Sequence, residues 1–216
     1  MAGLQPTAQI ATIWRVRMRK SLWLLVLLAF FSVPHLMHAQ QLDAGFGVFT
    51  LVAPSNTTLT STSFTPQSIG GGAFPAVSAN YLWKNHLGIQ GEVTWRASDN
   101  VYGGYQPFRP ILYDFNAMYA PYLGKHVELE LLGGIGGQSS RFYNAYYQCT
   151  FYGCSDYSSS NHFLGHVGGG IRFYVWHRVF VRPEAHAYFV HNNWEFNSGQ
   201  SQRYGVSIGY SFGSSD

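Results

Sequence analysis

The segment Arg203-Tyr-Gly-Val-Ser-Ile-Gly-Tyr-Ser-Phe212 decides the fold of this chain. Its even positions, from Tyr204 to Phe212, are all apolar or aromatic, and its odd positions hold Arg, Gly or Ser. Successive side chains of a β-strand point to opposite faces of the sheet, so this segment has one apolar face and one polar face. It predicts a strand that lies between an apolar and a polar environment.

The same alternation recurs in seven segments upstream. We predict eight strands in all, at 42–52, 73–83, 87–97, 110–122, 127–138, 163–175, 179–190 and 203–212. Tight turns at 84–86, 124–126 and 176–178 alternate with long connections at 53–72, 98–109, 139–162 and 191–202. Strict alternation puts all the long connections at one end of the sheet. This layout predicts an all-β fold, an eight-stranded antiparallel up-and-down barrel that spans a membrane with short periplasmic turns and four long extracellular loops.

In such a barrel the polar strand faces meet inside. The interior is just wide enough for side chains to fill, and buried charges persist only when they are paired and hydrogen-bonded. We therefore predict a plugged lumen with a nearly balanced charge network and no continuous pore. Its members are Asp43, Glu92, Arg96, Asp114, Glu128, Glu130, His166, Arg172, Arg182, Glu184, His186 and Arg203. A soluble sandwich or lipocalin would instead have to bury the apolar face, whose aromatic residues near the strand ends are typical of membrane interfaces.

Residues 1–39 have the three regions of a secretory signal peptide. Basic residues precede an apolar run at 22–31, and a cleavage boundary follows Ala39. The run is shorter than the roughly 20 apolar residues that a membrane-spanning helix needs. We predict that 1–39 is removed on export, with Met18 as a candidate start, and that 40–216 forms the barrel domain. A retained membrane anchor is the alternative.

The charge of the exported part argues against nucleic acid as a partner. Four of the 13 Lys and Arg residues but none of the 10 Asp and Glu residues lie in 1–39, so the formal net charge of +3 becomes −1 without that segment. The remaining chain has no basic stripe with interleaved aromatic residues.

The third long connection contains the strongest candidate for a contact surface. Cys149 and Cys154 lie within it, and in an exported chain a disulfide between them is the default expectation, with two free thiols as the alternative. Its aromatic side chains offer amphipathic contact area at low entropic cost. We predict contact with a glycan, lipopolysaccharide, a protein or a small apolar ligand; alternatively, the rings pack on each other and on lipid headgroups. The surface comprises Tyr143, Tyr146, Tyr147, Phe151 and Tyr152.

Other residue groups predict no catalytic, cofactor or metal site. Ser160, His162 and Asp156 share the third long connection, but a catalytic triad needs a nucleophile, a base and an orienting group held in fixed geometry. The glycine clusters at 133–137 and 168–170 lack the helix and the Lys-Ser/Thr pair of a phosphate-binding loop. In a narrow barrel they leave room for large luminal side chains.

Histidines recur at the tight turns. His86, His126 and His177 lie one in each turn, each close to a Lys or Arg residue. We predict that they are polar turn residues at a charged interface. The alternatives are a basic collar that binds anionic lipid or a cell-wall polymer, and a metal site at this rim.

The chain resembles the small eight-stranded bacterial outer-membrane β-barrels, which include the transmembrane domain of outer-membrane protein A and the OmpX-, Opa- and NspA-like proteins. The resemblance covers the chain from about Gln41 to Phe212, and the final strand is similar to the family's C-terminal assembly signal. It departs from that pattern at Gly205, at Ser207 and in the residues after Phe212.

The resemblance implies a protein of the outer membrane of a Gram-negative-type bacterium, with a structural or surface-interaction role in membrane integrity or adhesion. The alternatives are a narrow channel or binding protein for small hydrophobic solutes and a lipid A-modifying enzyme. The implied partners are outer-membrane lipids including lipopolysaccharide, the barrel-assembly machinery during biogenesis, and an extracellular glycan or protein. No enzymatic activity and no cofactor is expected.

Overall fold

The computed structural model describes residues 41–54, 68–83, 86–103, 105–150, 153–193, 195–196 and 199–213. The predicted signal peptide, 1–39, lies outside these ranges and remains a prediction. No helix among the described residues is long and apolar enough to cross a membrane.

The described residues form ten β-strands. They are β1 (Gln41–Val52), β2 (Ala73–Leu82), β3 (Leu87–Trp95), β4 (Asn100–Tyr102), β5 (Gln106–Tyr119), β6 (Tyr122–Gly124), β7 (Val127–Thr150), β8 (Gly153–Trp176), β9 (Val179–Val190) and β10 (Gln200–Phe212). Eight of them close into an antiparallel ring in the order β1-β2-β3-β5-β7-β8-β9-β10, in which β10 pairs with β1 and β5 pairs with β7. The predicted eight-stranded barrel is confirmed.

The two remaining strands are short additions to the ring. β4 pairs with the start of β5, and β6 pairs with the start of β7. Each therefore extends a barrel strand at one end without adding to the circumference.

β7 and β8 extend far beyond their predicted bounds. Smaller differences occur in β5, which was predicted at 110–122, and in β10, which was predicted to begin at 203. The segment 139–162 was expected to be a long connection, but β7 and β8 continue through most of it as a paired hairpin. Its partners run from Gln138↔His162 to Tyr143↔Tyr157 and then from Gln148↔Ser155 to Thr150↔Gly153. A register shift separates the two paired stretches. Alternation breaks down here because polar and aromatic residues stand on both faces, so periodicity gave no strand signal.

The three tight turns lie at one end of the barrel, which we call the short-turn end; the opposite end is the long-loop end. The last residue of each turn accepts a backbone hydrogen bond from the end of a neighbouring strand. These bonds join Ala120 N to His86 O (2.7 Å), Tyr174 N to His126 O (2.9 Å) and Ser211 N to Arg178 O (2.9 Å). Backbone bonds therefore hold the turns in place, although residues 84–85 of the first turn lie outside the described part.

The apolar strand faces point outward. Along β10, the side chains of Tyr204, Val206, Ile208, Tyr210 and Phe212 are all exposed, whereas Arg203, Ser207 and Ser211 are buried. The other ring strands repeat this pattern. In water this amount of exposed apolar surface would be unfavourable, so the exterior is suited to hydrocarbon.

Candidate functional site

All twelve side chains of the predicted luminal network are buried. Eleven of them lie in what we call the charged layer, which fills the barrel from the short-turn end upward. It consists of Asp43, Glu92, Asp114, Glu128, Glu130, His166, Arg172, Arg182, Glu184, His186 and Arg203.

Glu130 is the centre of this layer. Arg172 donates to it through Nε (2.5 Å) and to Asp43 through Nη1 (2.6 Å), with Glu128 3.4 Å away. Arg182 Nη1 donates to both oxygens of Glu130, at 2.8 and 2.9 Å. Two buried guanidinium groups therefore share one carboxylate, which is the paired arrangement that buried charges need.

A histidine pair continues the layer. The rings of His166 and His186 stack with centroids 5.0 Å apart, and His166 Nε2 lies 2.8 Å from His186 Nδ1. His186 Nε2 lies 2.9 Å from Glu184 Oε2, and Glu184 Oε1 lies 2.8 Å from Arg182 Nε. At its other end, His166 Nδ1 lies 2.6 Å from Asn116 Oδ1. The chain of contacts crosses the lumen from β5 to β9.

Arg96 is separate from these contacts. It is buried beside Gly72 at the long-loop end and forms no ion pair with any residue that the structure describes. Arg96 follows the last residue of β3. It therefore lies beyond the strand segments that carry the ion pairs. The alternation in the sequence correctly predicted that Arg96 faces the lumen. It did not show that Arg96 lies too far along the barrel axis to join the network.

Sequence reasoning missed a second layer, which fills the lumen towards the long-loop end and which we call the apolar layer. Its members are buried and in mutual contact: Phe49, Leu51, Ile69, Phe74, Ala76, Phe108, Leu112, Phe142, Leu164, Tyr188, Val190 and Phe196. Ile69 and Phe196 come from the long connections, so single side chains from two connections enter the lumen. A signal was present in adjacent apolar pairs such as Leu51-Val52 and Phe163-Leu164, where both faces of a strand become apolar.

Aromatic rings dominate the top of the apolar layer. Phe142 stacks on Phe196 with centroids 6.3 Å apart, and Phe108 lies 5.1 Å from Phe196. Tyr102, from β4, contacts Phe142 edge-on at 5.1 Å. Burial, with a smaller effect of the nearby Glu195 charge, raises the pKa of Tyr102. These rings pack against one another inside the barrel, near the long-loop end.

A polar cluster next to these rings does not form a triad. His162 Nε2 lies 3.0 Å from Ser160 Oγ and 2.9 Å from Glu195 Oε2, and Ser160 also donates to Glu195. In a nucleophilic triad the carboxylate and the nucleophile contact opposite ring nitrogens. Here both contact the same nitrogen, and Asp156 takes no part in these contacts. We call this hydrogen-bonded cluster of Ser160, His162 and Glu195 the cap. Its geometry is not that of a catalytic proton relay.

The β7–β8 hairpin presents the predicted contact surface. Tyr146 and Tyr147 are 84% and 72% exposed, and Cys149 and Cys154 are disulfide-bonded at its tip. Tyr143 is half-buried against Tyr157, whose ring also lies 5.3 Å from the Arg141 guanidinium carbon. Phe151 and Tyr152 lie outside the described residues.

A cavity of about 550 Å³ opens at the short-turn end. It lies between the turns at 125–126 and 177–178, beside the ends of β1 and β10. Among the described residues, no group of three or more His, Cys, Asp or Glu side chains is arranged to hold a metal ion.

Known proteins of the same shape are bacterial outer-membrane barrels. No protein-family model matches the sequence, and neither does any curated protein. Among solved structures, the attachment invasion locus protein Ail of Yersinia pestis, crystallised with the heparin analogue sucrose octasulfate, is 13% identical over 81% of this chain and 99% of its own, with a TM-score of 0.54. Neisserial surface protein A is 12% identical over 80% and 97%, with a TM-score of 0.54.

A major outer-membrane protein of Thermus thermophilus is also similar, at 12% identity over 81% of this chain and all of its own, with a TM-score of 0.55. Identities this low establish the fold and no more. A closed antiparallel ring with an apolar exterior is the form in which β-structure spans an outer membrane. The chain has the fold of the small eight-stranded outer-membrane β-barrel proteins.

Proposed function

We propose that this protein is an outer-membrane barrel with a structural and surface-interaction role, which contacts its partners through the β7–β8 hairpin. The observation that carries the proposal is the pair of exposed tyrosines, Tyr146 and Tyr147, close to the disulfide at the hairpin tip. Exported aromatic side chains that do not pack into a core supply contact area for a partner.

The length of the hairpin supports this role. A tilted strand needs about 10 residues to cross the apolar region, whereas β7 and β8 each have 24. The short turns are periplasmic in barrels of this kind, so the excess length extends away from the cell. The tyrosines then stand well outside the membrane surface, where a large partner can reach them.

The filled lumen supports a role that does not depend on transport. The charged layer and the apolar layer follow each other along the barrel axis, and buried side chains from the ring strands occupy both. A narrow channel, the alternative from the sequence, would need both layers to open, and a luminal binding site for small hydrophobic solutes would need one of them to open. Lipid A modification would need a relay that the cap of Ser160, His162 and Glu195 does not provide.

The chemistry of the tip suits a sugar or a protein. Tyrosine rings stack on the apolar faces of sugars and their hydroxyl groups donate hydrogen bonds, so the same surface serves glycans and protein patches. The structure of Ail with sucrose octasulfate makes a sulfated glycan one probe to include. Outer-membrane lipids, including lipopolysaccharide, would surround the barrel, and the barrel-assembly machinery would insert it.

A binding experiment tests the role of the tip. The double variant Tyr146→Ala/Tyr147→Ala should lose binding on a glycan array that includes sulfated sugars, or to host-cell surfaces, by about tenfold or more, because removal of an aromatic anchor typically costs about 2 kcal/mol or more. Tyr105→Ala is the matched control, since Tyr105 is 80% exposed at the same end but belongs to another hairpin. Equal binding by wild type and the double variant would contradict the proposal.

Conductance tests the closed lumen. In planar lipid bilayers the wild-type protein should not raise the conductance above that of the lipid alone. A general porin reconstituted in the same way is the positive comparison. Steady single-channel openings by the wild type would contradict the proposed role and favour a channel.

A further inference from the structure

We propose that the short-turn end binds one anionic lipid headgroup through its phosphate, in the cavity between the turns at 125–126 and 177–178. This site lies at the opposite end of the barrel from the hairpin tip and is independent of the surface-interaction role.

The cavity has the size of a small-ligand site. Its volume of about 550 Å³ falls within the range of roughly 300–1,000 Å³ that is usual for such sites. Lys125 and His126 line one side, and His177 and Arg178 line the other. A glycerophosphate group is small enough to enter between the two turns.

The described ionisable side chains in the turns around the opening are all basic. All four ionisable side chains of these two turns are basic and exposed, and neither Lys125 nor Arg178 forms an ion pair with a residue that the structure describes. At the long-loop end, by contrast, Arg109 Nη2 lies 2.9 Å from Asp99 Oδ1. The cations at the short-turn end are therefore available to a ligand.

Acidic groups below the cavity do not neutralise these cations. Among the residues that the structure describes, Asp43 and Glu128 are the carboxylates closest to this end, and both are fully buried in contact with Arg172. Between them and the opening lies a neutral polar floor. Gln41 Nε2 donates to the hydroxyl groups of Tyr174 and Ser211, at 3.1 Å each.

The backbone fixes both turns before any ligand binds. The bonds Tyr174 N to His126 O and Ser211 N to Arg178 O anchor the turns to the strands next to them. A ligand therefore does not have to order the backbone, although the basic side chains still lose freedom. Pre-organisation of this kind increases affinity because it reduces the entropic cost of binding.

The surroundings of the cavity favour a lipid over a free anion. Val175 and Trp176 line it and are 63% and 71% exposed, and Tyr122 lines the opposite side. Tryptophan and tyrosine rings in membrane barrels lie at the level of the headgroups. A phosphate between these turns can therefore remain attached to acyl chains that lie in the adjacent hydrocarbon.

Native mass spectrometry of the full barrel tests the site. Protein released from detergent is titrated with phosphatidylglycerol, phosphatidylcholine, inorganic phosphate and a soluble cell-wall muropeptide. Wild type should retain phosphatidylglycerol in preference to phosphatidylcholine. The variant Lys125→Gln/Arg178→Gln should bind phosphatidylglycerol about 25-fold more weakly, since each Lys or Arg near an anionic lipid contributes about fivefold.

The control variant loses the same amount of positive charge, but at the long-loop end of the barrel. Arg109→Gln/Arg141→Gln removes two cations that lie opposite each other on β5 and β7, and it should bind phosphatidylglycerol as wild type does. Heat-modifiable migration on gels establishes that each variant is folded. Equal retention of the two lipids, an equal loss in the control, inorganic phosphate binding as tightly as the lipid, or preferential binding of the muropeptide would each overturn the proposal.

Discussion

The guanidinium carbon of Arg203 lies 4.1 Å from the centre of the Phe49 ring, where the charged layer meets the apolar layer. The same carbon lies 5.6 Å from the Tyr188 ring, and the guanidinium pairs with Glu92. One arginine thus joins the two layers, with its flat faces towards rings and its edge towards a carboxylate, as guanidinium geometry allows.

This position makes Arg203 critical for stability. Arg203→Met keeps much of the side-chain volume but leaves the Glu92 carboxylate buried without a counter-charge. We expect the free energy of unfolding to fall by about 3–5 kcal/mol, as it does when one partner of a buried pair is removed. The double variant Arg203→Met/Glu92→Gln should lose clearly less. Denaturant unfolding in lipid vesicles measures both, and an equal loss would show that Arg203 acts through packing alone.

Glu130 and Glu128 should respond differently to loss of their charge. Glu130→Gln leaves two arginines short of a shared acceptor, whereas Glu128 contacts its arginine only at 3.4 Å and accepts from the Tyr174 hydroxyl. We expect Glu130→Gln to reduce the free energy of unfolding by at least about 2 kcal/mol more than Glu128→Gln. Equal effects in vesicle unfolding would contradict the central role of Glu130.

Two lipid-facing glycines of β7 form a matched pair. A Cβ at Gly137 would lie 2.5 Å from the Tyr113 hydroxyl oxygen, because the tyrosine ring covers the glycine, whereas a Cβ at Gly133 would meet nothing within 4 Å. Gly133→Ala should stabilise the barrel by about 0.5–1 kcal/mol, since alanine is less costly to order than glycine. Gly137→Ala must displace the ring and should be less stable than Gly133→Ala by about 1 kcal/mol. Denaturant unfolding of the two variants in lipid vesicles measures whether each is more or less stable than the wild type.

His86 adopts a backbone conformation that favours glycine. Its φ of 60° lies in the left-handed region, which costs a residue with a Cβ about 1–2 kcal/mol. His86→Gly should therefore raise the free energy of unfolding by about 0.5–1 kcal/mol, after the entropy of glycine is subtracted. His126→Gly is the control, because His126 lies in a comparable turn but does not have a positive φ. This substitution should lower the free energy of unfolding. A loss of stability in His86→Gly would indicate that its contact with the Tyr122 ring matters more than its backbone.

Periodicity predicted the ring because each barrel strand separates two different environments along most of its length. Ile208 and Ser207 can be assigned to opposite faces from the sequence, since only one face meets hydrocarbon. Periodicity fails where both faces have the same character. Leu51 and Val52 are both apolar, so the sequence did not show that Leu51 faces inward and helps to form a second layer.

Side chains from the long connections could not be placed from the sequence. Glu195 reaches Ser160 and His162 across 35 and 33 residues of chain, and Phe196 enters the apolar layer beside it. These contacts depend on how the connection folds back over the barrel, which strand periodicity does not encode. The hairpin was missed for a related reason, since the aromatic and polar residues of 139–150 stand on both faces and alternate with no consistent character.

The two-layer filling of the barrel bears on how many copies a cell can carry. An open pore in the outer membrane admits toxic solutes and antibiotics, so its abundance is limited by the permeability barrier that it weakens. With the closed lumen and the surface role proposed above, this barrel would add displayed surface without adding leakage. Its expression would then be limited by membrane area rather than by tolerance of leaks.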